Sequence, residues 1–124
     1  MTRKRVSHLW HFTLVLLTIL TVVAVPAFRR SLVRSKEFSL KNHLYTLRVT
    51  IDEYTFDKKK PPRQLDDLVK AGYLLAVPID PMTGSDRTWR ATIRTSDRSN
   101  APGIFDVHSG SDAKSLDGVP YSEW

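Results

Sequence analysis

The chain has no cysteine, and no lysine, arginine, aspartate or glutamate falls between Val6 and Phe28. The first absence excludes a disulfide framework, a thiolate zinc site and a cysteine nucleophile. It says nothing about the redox compartment, because exported domains often do without disulfides. The second absence marks a membrane-type segment. Also missing are a glycine-rich phosphate loop, an HExxH helix and a nucleophile elbow, the patterns that carry common enzyme chemistries. Ser111, Asp112 and His108 lie close in sequence but do not have the geometry of a triad. The expectation is a protein without catalytic groups.

The 124 residues have room for one small domain. Removing the apolar segment leaves roughly a hundred residues, enough for a modest core and marginal stability. The net charge of +6 is unevenly placed. Arg3, Lys4 and Arg5 precede the apolar run, and from Arg29 onward sixteen basic residues face thirteen acidic ones. That balance is a membrane-flank signal and too weak for a nucleic-acid binder. Arg87, Arg90, Arg94 and Arg98 around Trp89 read as an outward arginine row beside a buried ring, so no nucleic-acid partner and no small-molecule substrate are expected.

Leu9 to Phe28 is twenty residues, just enough helix to cross a hydrocarbon core about 30 Å thick. Basic residues on both flanks leave the orientation open. Val25-Pro26-Ala27 also has the form of a signal-peptidase site before Phe28. Three readings therefore stand: a cleaved signal, a retained anchor, or a leader trimmed before assembly.

After the anchor, apolar residues recur at Val33, Leu40, Leu44, Leu47, Ile51 and Tyr54, with a charge only at the 36/37 position and with Phe38 and Tyr45 broadening one side. This is helical spacing. A single helix bent at Pro26 is expected, ending at Lys60-Pro61-Pro62. A short helix follows at "RQLDDLVKAGYL", with Leu65, Leu68 and Val69 on one face and Gly72 as its stop. Strands are expected at 88–95, with Trp89, Ala91 and Ile93 inward, and at 104–109, with Phe105 and Val107 inward. Tyr121 and Trp124 close the tail as an aromatic lock. The fold class is α+β: a long N-terminal helix, half membrane and half amphipathic, packed on a small antiparallel sheet. The parts are a basic leader-like segment 1–11, a hydrophobic span 12–28, an amphipathic half-helix 29–57 and a small head 58–124.

These segments resemble the type IV pilin-like proteins, most closely the major pseudopilin (protein G) family of bacterial type II secretion. "HFTLVLL" resembles the family's start, and "FRRSLVRSKEFSLKNHLYTLRVTIDEYTFDKKKPP" resembles its periplasmic half-helix. "LDDLVKAGYLLAVPIDPMTGSDRTW" resembles its Gly-Tyr-Leu to Pro-x-Asp-Pro progression. "GIFDVHSGSD" resembles its strand leading to a Ser-x-Gly-x-Asp loop. The resemblance implies a pilin-like fold and a structural subunit. Such a subunit sits in the bacterial inner membrane as a single pass with its C-terminal domain in the periplasm. It assembles helix-inward with copies of itself or with other pseudopilins into a filament that helps export folded proteins. It further implies a prepilin peptidase cutting between His11 and Phe12, with N-methylation of the new terminus. Leu14, Leu16, Leu17, Leu20, Leu40, Leu44, Leu47 and Ile51 would pack against membrane or neighbouring subunits. It implies a calcium ion held by Asp112 and Asp117 with the carbonyls of Ser109 and Val119. A hydrogen-bonded Asx/Gly turn is the alternative for that loop. Two positions depart from the family pattern: His11 stands where the peptidase meets glycine, and Leu16 where a membrane glutamate meets a neighbour's amino terminus. An exported binding domain with a cleaved signal and a non-polymerising bitopic membrane protein remain as alternatives.

Overall fold

The computed structural model describes residues 2–97 and 100–124, with side chains from Ser7 onward. Helix α1 runs Thr2–Lys58 and continues through Pro26. It is followed by α2 (Asp66–Lys70), strands β1 (Arg90–Thr95) and β2 (Pro102–His108), and a 3-10 turn at Tyr121–Glu123. The class is α+β, with one long N-terminal helix and one two-stranded antiparallel sheet. The chain divides into two compact units, Met1–Arg34 and Ser35–Trp124.

The second unit is built on the stripe of α1. Leu40, Leu44, Leu47 and Ile51 are buried together with Leu68, Trp89, Ile104, Val107 and Tyr121. Tyr54, Leu65, Leu74, Val77, Met82 and Trp124 pack around that cluster. The charged gap in the stripe is part of this core. Glu37 is buried, and its Oε1 accepts from the Tyr121 hydroxyl at 2.9 Å and from the Leu116 amide at 2.8 Å. Phe38 and Tyr45, expected to widen the stripe, point away and stay exposed.

Helix α1 stops at Lys58, and Lys59 takes φ 59°, the left-handed position that glycine usually fills at a helix end. The Lys59 ammonium lies 4.4 Å from the Phe56 ring centre. Pro61 and Pro62 then turn inward and are buried. The Pro62 carbonyl accepts from the Ile104 amide at 2.7 Å and so pairs with the outer side of β2. Asp67 holds the entry to α2, its Oδ2 accepting from the Arg63 and Gln64 amides. At its end Gly72 has φ 82° and the Tyr73 amide returns to the Leu68 carbonyl at 2.9 Å, the wrapped ending that favours glycine.

The sheet corrects the expected strand faces. Thr92 pairs with Asp106, but the next partners are Ile93 and Ile104, so Phe105 is an extra residue in β2. Such a bulge breaks the period of two. It puts Ile104 and Val107 inward and leaves Phe105 36% exposed, where alternation alone pairs Phe105 with Val107. On β1, Trp89 just before the strand is buried, whereas Ala91 and Ile93 are exposed. They line an open groove of about 340 Å³ with Leu65, Val77 and Ile104.

Candidate functional site

In the first unit the functional question is what covers the apolar side chains. An 18-residue window within Ser7–Lys58 has mean hydropathy 2.2, and none of it is buried by the rest of the chain. This one helix, near the N-terminus, is long and apolar enough to cross a membrane. Leu14, Leu16, Leu17 and Leu20 are each more than half exposed. The threonine hydroxyls of the segment are satisfied within the helix. The hydroxyls of Thr13, Thr18 and Thr21 donate to the carbonyls of Trp10, Val15 and Leu17 at 2.7–2.9 Å. Lipid demands such self-bonding, because it offers no partner to a hydroxyl. The threonines interrupt the hydropathy of the run but not its compatibility with a bilayer. Hydropathy alone does not reveal that. His11 and Phe12 lie inside α1, both exposed.

The second unit spends the other half of the expected packing stripe on its own core. Leu40, Leu44, Leu47 and Ile51 are at most 2% exposed, so they face their own head and not a neighbour. What α1 leaves outside this unit is Phe38, Tyr45 and Phe56.

Two polar hubs hold the head together, and neither stands out in the sequence. The first is Asp80, fully buried in the Pro78-Ile79-Asp80-Pro81 turn. Its Oδ1 accepts from the Met82 amide at 2.8 Å. Its Oδ2 accepts from the Ser109 hydroxyl at 2.7 Å and the Gly110 amide at 2.9 Å. These bonds compensate the desolvated carboxylate. They also tie together two segments 29 residues apart in the chain. Gly110 is required there: a Cβ would meet the Thr88 carbonyl oxygen at 2.1 Å. Beside this turn the Trp89 indole donates to the Pro78 carbonyl at 2.7 Å, so the ring is occupied and buried and not offered to a base.

The second hub is Arg48 on α1. Its Nε donates to Asp106 Oδ1 at 2.7 Å, and one terminal nitrogen donates to the main-chain oxygens of Val107 and Trp124 at 2.9 and 2.8 Å. His108 Nδ1 lies 2.7 Å from the same Trp124 oxygen. Burial pushes the Asp106 carboxyl up. The Arg48 and Val107 hydrogen bonds and the Arg48 and His108 charges outweigh it and hold the group below its ordinary value. The Trp124 ring meets Tyr121 edge-on at 5.2 Å and lies under the Lys41 ammonium at 4.8 Å. Burial, then the Glu37 hydrogen bond and charge, push the Tyr121 hydroxyl up to about 12, so it remains a donor at any physiological pH. The aromatic lock at the tail is therefore clamped by two cationic side chains of α1.

The calcium candidates are separated by their partners. Asp112 gives both carboxylate oxygens to the Arg90 guanidinium at 2.8 and 2.9 Å, and Arg90 also donates to the Gly110 carbonyl. The Val119 carbonyl accepts from the Ser115 amide at 2.8 Å. Asp117 is exposed beside Gly118, which has φ 84°. A cation at Asp112 has to displace the Arg90 guanidinium. Among the described residues no group of three or more His, Cys, Asp or Glu is placed to hold a metal. Of the arginine row, Arg90 is neutralised by Asp112, Arg87 and Arg94 are exposed, and Arg98 lies outside the described residues.

Compared with known proteins, the chain matches no family model, no curated protein and no solved structure.

Proposed function

We propose that this chain is a membrane-anchored, pilin-like structural subunit of the type II secretion or type IV pilus class, assembling with other subunits outside the inner membrane. The observation that carries the reading is the division of α1. One stretch of the helix finds no cover within the chain, and a later stretch is the spine of a small head. A second observation supports it. The turn at Pro78–Pro81 and the loop at Ser109–Asp112, the two head segments that carry the resemblance, are bonded to each other through Asp80.

His11 and Leu16 favour a second reading, an anchored protein of the same shape that is not trimmed and does not polymerise. Intact mass of the protein from its native membrane fraction separates the two. A chain starting at Phe12 is the expected result. An untrimmed chain, allowing for loss of Met1, selects the second reading, and a soluble chain starting at Phe28 overturns both.

A further inference from the structure

Charge is divided between the two units as unevenly as burial. Ser35–Trp124 has thirteen basic and thirteen acidic residues, so the whole net charge of +6 sits on Met1–Arg34. That unit has six basic residues and no acidic one, and the first carboxylate in the chain is the buried Glu37. Three of the six, Arg29, Arg30 and Arg34, follow directly on the apolar run. At about 100° per residue they fall within about 140° of the α1 surface. All three are exposed, and among the described residues none of them enters an ion pair. Phe28 and Leu32, one turn apart, lie on the opposite side and are 66% and 50% exposed. From Phe28 to Arg34 is about 9 Å of helix, so the arginines stand within about one Debye length of the end of the apolar run.

We propose that Arg29, Arg30 and Arg34 form a binding surface for the phosphates of anionic phospholipids, on the face of the bilayer where the span ends. This inference rests on the anchored reading, trimmed or untrimmed, and adds a partner to it. Three guanidiniums with no carboxylate beside them attract phosphate, and the planar fork of arginine gives a phosphate two parallel hydrogen bonds. The apolar pair on the other side points to lipid as the source of that phosphate. A dissolved anion offers nothing to Phe28 and Leu32, whereas a lipid brings phosphate to the arginines and its acyl boundary to the apolar pair. Long arginine side chains can also lean back along the helix to reach the headgroup level. With the head outside the inner membrane, these arginines have crossed the bilayer against the usual bias of basic residues toward the cytoplasmic side. An anionic surface favours each nearby cation by about fivefold. The neutral head feels no such net pull, so the attraction acts on the anchor.

The full-length chain is reconstituted in phosphatidylcholine bilayers, and its association with spin-labelled phosphatidylglycerol is compared with that of spin-labelled phosphatidylcholine. The wild type is expected to favour phosphatidylglycerol about fivefold. Arg29→Gln, Arg30→Gln and Arg34→Gln together should remove about half of that preference, because the two flanks carry equal charge. Arg29→Lys, Arg30→Lys and Arg34→Lys together keep the charge and should keep the preference. Arg3→Gln, Lys4→Gln and Arg5→Gln together strip the other flank and should leave the share of Arg29, Arg30 and Arg34 in place. No preference in the wild type, or one that the glutamines at Arg29, Arg30 and Arg34 leave unchanged, overturns the lipid surface while the anchored reading stands. Equal loss in the lysine variant traces the effect to altered structure and not to charge, and overturns it too. A wild-type chain that does not float with the vesicles overturns the anchored reading itself.

Discussion

Residues 9–28 and 40–51 both belong to α1 and both carry leucines, yet they solve opposite problems. In the first, apolar side chains occur all round the helix, and none of the window is buried by the chain. In the second, the apolar residues keep to one stripe, and that stripe is covered by Trp89, Ile104, Val107 and Tyr121. The difference lies in the period as well as in the amount of apolar surface. A helix apolar on every side needs a solvent of its own kind, whereas a striped helix needs only one covering layer.

The comparison is broken most sharply by truncating one leucine in each stretch. Leu47→Ala should cost the head about 3 kcal/mol, because a fully buried leucine leaves a cavity. Leu17→Ala should leave the head's unfolding midpoint unchanged. Denaturant melts of the full chain in detergent, followed by tryptophan fluorescence in a Trp10→Phe background, check both. Equal effects would mean that the two stretches share one core.

Next in size is Asp80→Ala, expected to destabilise the head by about 2–3 kcal/mol by stranding the Ser109 hydroxyl and two amides. The same melts read it. Membrane association, followed by fractionation, should not change. Loss of membrane association would show that the anchor depends on the head.

A smaller effect is expected from acid. The Asp106 carboxyl is held below its ordinary value in the folded head, so its contribution is present above the unfolded value, near 3.8. That contribution disappears as pH falls through the lower folded value. The pair is part-exposed, which limits it to below about 1 kcal/mol. Asp106→Asn should therefore flatten the stability profile below about pH 4 while lowering the plateau slightly at neutral pH. A parallel profile would assign the acid sensitivity to another group. Smallest of all is calcium: chelation should leave the melting temperature of the head unchanged, because Arg90 already occupies Asp112. A clear rise on adding calcium would show that the guanidinium yields.

Much of this organisation is visible in the residues themselves, for local reasons. The long apolar run, the stripe from Leu40 to Ile51, the proline stop and Gly72 all depend on neighbours within one or two turns. What escapes depends on distant partners or on a local break in period. Glu37 looks like a flaw in the stripe, because its partners Leu116 and Tyr121 lie some eighty residues on. Asp80 looks like one more turn residue until Ser109 is beside it. Phe105 looks inward under a period of two, and only the pairing register reveals the bulge that turns it out. Asp112 looks like a loop carboxylate until its partner Arg90, 22 residues earlier, is beside it.

Hydrogen exchange on the full chain in lipid bilayers tests the central claim most directly. The account predicts two independent behaviours within one helix. Amides of 40–51 should open together with those of 104–107 as denaturant unfolds the head, while amides of 9–28 stay protected by lipid through that transition. If the amides of 9–28 exchange freely in lipid, or open in the same step as 40–51, the division of α1 between membrane and head is wrong.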